Sequence, residues 1–143
     1  MLDAVRQCHL ALLSAPSHRG EPQTGISVVA YFQAAIGRDG AESFHAMFLD
    51  GSNRLIAREL VNRGSVDQCL VDPSQIVLRA LDLGARRLIV AHNHPSGDPT
   101  PSPSDIALTR KLANACHLFD ITLVDHLVIA SDGFASFHAK GLL

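Results

Sequence analysis

Hydrophobic and polar positions divide the chain into recognisable elements. Leu2, Val5, His9, Leu12 and Leu13 fall at helical spacing and predict an amphipathic first helix. Pro16 to Gly25 is rich in Pro, Gly, Ser and His and predicts a loop. The apolar run Ile26 to Ile36 suits strand or helix, and Ala30, Ala34 and Ala35 favour helix. Gly37 to Gly40 is a turn. Glu42 to Asp50 alternates, is rich in Phe, and predicts a strand. Asp50-Gly51-Ser52-Asn53 then turns the chain into Arg54 to Arg63, the partner strand of a hairpin.

Asp72-Pro73-Ser74-Gln75 has the chemistry of a helix start, with Asp as N-cap, Pro at the first helical position and Gln at the third. Ile76, Leu78, Ala80, Leu81 and Leu83 continue that helix, and Gly84 caps its end. Arg87 to Ala91 is a short apolar strand of the kind buried on both faces of a sheet. A further helix spans Ile106 to Leu118 and stops near Phe119. Ile121 to Val124 and Leu127 to Ala130 read as two strands, Ser131-Asp132-Gly133 as a turn, and Phe134 to His138 as the last strand. The order α, α, β, β, α, β, α, β, β, β fits an α/β fold with a single mixed sheet flanked by helices.

Composition narrows this without changing it. A length of 143 residues suits one domain, and 47% hydrophobic with 18% charged residues describes a chain that buries a core. The net charge of −2 supplies no general pull toward nucleic acid or an anionic membrane. The basic pairs Arg86-Arg87 and Arg110-Lys111 read as solvated faces. Cys8, Cys69 and Cys116 are scattered with no CxxC, and no stretch has the pattern of a secretory leader or the length of a membrane helix. A reduced, cytoplasmic setting is the expectation.

The candidate chemistry lies where the strand ending at Ala91 runs into His92-Asn93-His94. On an extended strand, residues two apart point to the same side, about 6.6 Å apart along the chain. His92 and His94 therefore face one way and Asn93 the other. A loop of prolines and small residues follows, and Ser102-x-x-Asp105 opens the next helix. Two imidazoles and a carboxylate suit zinc, so His92, His94 and Asp105 are candidate ligands for one Zn2+. Ser102, Pro103 and Asp105 are also an ordinary helix start, with a serine N-cap, proline first and an acid favouring the dipole. The histidine pair tips the balance toward a metal, because a buried strand rarely holds two imidazoles unless something satisfies their nitrogens.

This spacing resembles the signature of the JAB/MPN (JAMM) zinc metalloproteases: His-x-His, seven residues, Ser, two residues, Asp. The string HNHPSGDPTPSPSD, the VDH at Val124 to His126 and the ending SFHAKGLL are similar to the RadC-like branch. The resemblance covers about Gly40 to Leu143, so the domain is set at 25–143, with a helix and loop at 1–24 outside it. It implies a sheet-and-helix architecture related to cytidine deaminases, a helix at Ile26 to Ile36, one zinc, and cleavage of peptide or isopeptide bonds. It also implies two catalytic residues. Glu42, at the start of the first strand, matches the family's general base, and Ser102 matches its donor to the oxyanion. Three protein ligands leave one tetrahedral position for water. Glu21 and Glu59 are the other glutamates; the first is in the loop, the second within a strand. Pro95 and Gly97 shape the loop.

His9, His18, His45, His117, His126 and His138 show no ligand spacing among themselves and read as surface or packing residues. His126 is the exception to watch, since Asp125-His126 recurs in RadC-like chains. Cys69 and Cys116 have no histidine at catalytic spacing. The alternative function is a non-catalytic RadC-type accessory module linked to DNA repair. RadC-like chains commonly carry a helix-hairpin-helix region ahead of the domain, and it is absent from this sequence; that and the charge argue against strong nucleic-acid binding. A zinc deaminase would need His-x-Glu and Pro-Cys-x-x-Cys, which the sequence lacks. The partner expected is therefore a peptide or protein substrate, with no membrane.

Overall fold

The structure, a computed structural model, describes residues 28–64 and 71–143. The expected first helix, together with Cys8, His9, His18, Glu21 and Cys69, lies outside the described residues. Eight elements follow in order: α1 (Val28–Ile36), β1 (Ser43–Leu49), β2 (Leu55–Arg63), α2 (Pro73–Leu83), β3 (Arg87–Asn93), α3 (Pro103–Leu118), β4 (Thr122–Ile129) and β5 (Phe134–Ser136). The strands form one mixed sheet in the order β2-β1-β3-β4-β5. β3 and β4 are parallel, joined by a crossover through α3; the other neighbours are antiparallel. This is the α/β architecture the sequence predicted.

Alternation along the strands sorts the core into two layers. Phe44, Phe48, Leu88 and Val90 pack with Ile76, Val77, Leu112 and Cys116 of α2 and α3. Met47, Leu49, Ile89 and Ala91 point the other way, onto Val29, Phe32 and Ile36 of α1. β3 is central and buried on both faces, as its apolar run requires. α2 begins and ends on its predicted caps. The Asp72 side chain accepts from the Ser74 N–H, and Gly84 adopts φ +70°, where a side chain would be strained.

Several boundaries differ from the sequence reading: β3 runs on to Asn93, α3 begins at Pro103, and two further differences change the strands themselves. The predicted strands Ile121 to Val124 and Leu127 to Ala130 are one strand, β4, with Asp125 and His126 buried in its middle. The polar pair looks like a break in sequence, but it continues the ladder with β3 and its side chains find partners inside. The register steps from Leu88↔Leu123 to Ile89↔Asp125, so Val124 is an extra residue, a bulge. A bulge reverses the alternation beyond it. Val124 and Leu127 thus share the α1 layer although they are three apart. His126 is thereby turned to the face that carries Val90 and His92. The last strand is also shorter than predicted: it ends at Ser136, and residues 137–141 form a turn tied by Leu142 N–H to Phe137 C=O and Gly141 N–H to His138 C=O.

Candidate metal centre

His92 is the next-to-last residue of β3, and His94 follows just beyond the strand, its N–H bonded to the carbonyl of Ile129 as if the ladder continued. Both imidazoles project toward the N-terminus of α3. There Ser102 is the N-cap, with φ −77° and ψ 163°, and Pro103 opens the helix. Ser102 Oγ accepts the Asp105 N–H at 3.1 Å, and Asp105 Oδ2 accepts the Ser102 N–H at 2.8 Å. This reciprocal capping box fixes the carboxylate's rotamer. Oδ1 and Oδ2 lie 3.3 and 3.2 Å from the Nε2 atoms of His92 and His94. His92, His94 and Asp105 each offer a ligand atom, all within 4.8 Å of one another, the one such group among the described residues.

The hydrogen bonds set which nitrogens are available. His94 Nδ1 faces the carbonyl of Asp98 at 2.9 Å. A carbonyl only accepts, so His94 donates from Nδ1 and keeps its lone pair on Nε2. Gly97 makes this contact possible: at φ +89° it reverses the loop and brings Asp98 back beneath His94. His92 Nδ1 is taken up by His126 at 2.8 Å. The two Nε2 atoms then sit 3.0 Å apart beside a carboxylate. Two nitrogen acceptors at that distance need a cation or a shared proton between them. The donor set, nitrogen, nitrogen and oxygen, fits zinc.

Electrostatics agree with that picture. Burial pushes the Asp105 carboxyl up, but the His92 and His94 imidazoles beside it outweigh that and hold the group well below the usual carboxylate range. The same bond to Asp105 raises His94, against its partial burial. Burial keeps His126 far below histidine's ordinary value, hence neutral.

Glu42 immediately precedes β1 and is half-buried. The antiparallel register pairs Phe44 with His92. Continued two places, it sets Glu42 opposite His94, on the same face as Phe44, and Glu42's charge is felt at His94, where it helps raise the imidazole. Its backbone is held on both sides. Gly64 N–H donates to the Glu42 carbonyl at 2.8 Å. Asn93, pointing away from the metal as alternation predicted, accepts from Ser43 N–H at 2.8 Å and donates to the carbonyl of Ala41 at 3.0 Å. Glu59, by contrast, forms an ion pair with Arg79 of α2. Burial pushes the Cys116 thiol up to about 11, which removes thiolate chemistry at neutral pH.

Two contributors carry more than the sequence pattern assigns them: it marks His126 as the histidine to watch without a contact, and Asn93 only as facing away from the ligands. His126 is fully buried and touches a candidate ligand, so it belongs to the site and not to the surface. Asn93 clamps the segment that carries Glu42. The available signal was the same for both: a polar residue inside an otherwise apolar strand must find partners.

A mixed sheet between helices, with two histidines and an aspartate converging beyond the end of its central strand, defines a JAB-type domain with a candidate metal site. Comparison with known proteins agrees. The family model for the RadC-like JAB domain matches residues 23–142. A protein of Rhodobacter capsulatus named UPF0758 protein is 46% identical over 117 residues, covering 82% of this chain and 55% of the relative. The chain thus spans about half the length of that curated relative. This chain belongs to the RadC-like JAB domain family. No helix among the described residues is long and apolar enough to cross a membrane.

Proposed function

We propose that this domain is a zinc-dependent metallohydrolase that cleaves peptide or isopeptide bonds. The observation that carries the reading is the convergence of His92, His94 and Asp105, each offering a ligand atom within 4.8 Å of the others, with Glu42 close enough for its charge to act on His94. His92, His94 and Asp105 hold the ion. Zinc there supplies Lewis acidity, bringing the pKa of its water down toward about 7.

The chain's own residues do the rest. Glu42 takes a proton from the attacking water as the new C–O bond forms, and returns it to the nitrogen as the C–N bond breaks. Ser102 Oγ already accepts from Asp105 N–H, so its own O–H can donate to the carbonyl oxygen as that atom gains charge. The capping box that orients Asp105 orients Ser102 as well, so one helix start serves both the ligand and the oxyanion donor. The cytoplasm is the compartment this reading favours, because Cys116 is free and buried and the three cysteines show no paired spacing.

Two measurements test this. Elemental analysis should find one zinc per chain, lost in His94→Ala; unchanged stoichiometry in the variant would sink the metal assignment. A panel of quenched fluorescent peptides and isopeptide-linked conjugates should be cleaved by the zinc-loaded chain. Glu42→Gln should retain zinc and fold while losing a factor on the order of 10²–10⁴ in rate. A Glu42→Gln variant as active as the parent removes Glu42 from the chemistry.

A further inference from the structure

Behind His92 lies a chain of hydrogen bonds whose direction can be read from one end. The carbonyl of Asp105 can only accept. Thr109 Oγ1, one helical turn later, is 2.6 Å from it, so the threonine proton goes there. That hydroxyl is also 2.6 Å from His126 Nδ1. Having given its single proton to the carbonyl, it must accept at this contact, so His126 carries its proton on Nδ1. His126 is completely buried, and its two ring nitrogens meet Thr109 and His92, not a carboxylate. A second proton would leave an uncompensated buried charge. His126 Nε2 is therefore bare, and it faces His92 Nδ1 at 2.8 Å. His92 must donate there, which puts its remaining lone pair on Nε2, the atom turned toward His94 and Asp105.

The His126 ring is locked in this pose. Phe137 stacks on it at 4.5 Å and 13°, and Phe44 meets it edge-on at 5.5 Å. The bulge at Val124 is what presents the ring on this face at all.

We propose that Thr109 and His126 are positioning residues that set the tautomer of His92, aiming its Nε2 lone pair at the metal position. The proposal rests on the metal-site reading above. It makes the metal site depend on a threonine that touches no metal: the series runs from the backbone of one ligand, Asp105, through Thr109 and His126 to another ligand, His92. With Thr109 replaced by valine, His126 loses its acceptor. The neutral ring then favours a proton on Nε2, His92 becomes the acceptor at Nδ1, and its own proton moves to Nε2, where the metal would sit.

The test is nitrogen NMR on histidine-labelled protein, read on the metal-free chain above histidine's ordinary pKa of about 6.5, with zinc affinity measured by competition against a chelator. In the parent chain, His126 and His92 should both show the Nδ1–H pattern. Thr109→Val should move His92 toward the Nε2–H pattern and weaken zinc binding about 10–100-fold, the range for outer partners of metal-ligating histidines. Thr109→Ser, which restores the hydroxyl, should restore both. A parent chain with His92 protonated on Nε2 would overturn the proposal whatever the variants do. So would a folded Thr109→Val that binds zinc as tightly as the parent. Failure of the parent to bind zinc would instead strike the metal reading, since the tautomers are read without metal.

Discussion

Asn93→Ala is the perturbation that most directly probes how the fold holds Glu42. Asn93 and Ser43 are both buried, at 1% and 3% exposure. The amide oxygen of Asn93 accepts from Ser43 N–H at 2.8 Å and more weakly from Ser43 Oγ at 3.3 Å. The amide nitrogen donates to the Ala41 carbonyl at 3.0 Å and to that of Asp39 at 3.4 Å. Truncation leaves the Ser43 N–H buried without its acceptor, a cost of about 1–3 kcal/mol. Losing the bond to Ala41 adds about 1 kcal/mol, and the longest contact is too weak to count. The expected destabilisation is roughly 2–4 kcal/mol, or a fall of about 1–2 M in the urea midpoint at an m-value near 2 kcal/mol/M. Ser43→Ala keeps the N–H bond to Asn93 and removes only hydroxyl contacts, the 3.3 Å one to Asn93 and the 3.0 Å one to His45 Nε2, and should cost about 0.5–1.5 kcal/mol. Because Asn93 grips the residues on either side of Glu42, peptide cleavage should also fall while zinc content stays at the parent's level. Urea denaturation by circular dichroism gives the first number and elemental analysis the second. A loss under about 1 kcal/mol for Asn93→Ala would refute the clamp.

Other expectations follow from the same contacts. Ser102→Ala should lose about 0.5–2 kcal/mol of stability, because Ser102 is the N-cap of α3 as well as a candidate donor, and should keep zinc while slowing turnover; thermal melts unchanged from the parent would contradict the capping role. His94 is raised by its bond to Asp105, so in the metal-free chain its stabilisation is present below the ordinary value of about 6.5 and fades as pH rises through the higher folded value. The stability gap between metal-free parent and His94→Gln should therefore be wider near about pH 5.5 than near about pH 8. Asp105, held low, has the opposite sign: its contribution is present above about pH 3.9 and is lost only on strong acidification. Duplex or branched DNA should bind weakly at physiological salt, given a net charge of −2; micromolar anisotropy titrations with a steep salt slope would show otherwise.

Local chemistry determined a good deal of this protein. Asp72-Pro73 and Gly84 bound α2, Ser102-Pro103 opens α3, and the apolar run at Arg87 to Ala91 is a central strand, because caps, prolines and uninterrupted apolar runs act within a few residues. The same holds for the convergence of His92 and His94, since strand alternation alone puts them on one side. What needed tertiary structure was everything decided between distant segments. Asp125 and His126 looked like a gap, yet pairing with β3 carries the strand through them, and a single bulge at Val124 chooses which of the two meets the site. No periodicity in the sequence encodes that choice; it depends on the register of a neighbour more than thirty residues away. The direction of the Thr109-His126-His92 hydrogen bonds, and the grip of Asn93 on the Glu42 segment, exist only once three strands and a helix are assembled. A polar side chain inside an apolar strand announces that it has a partner, and only the packed fold decides which one.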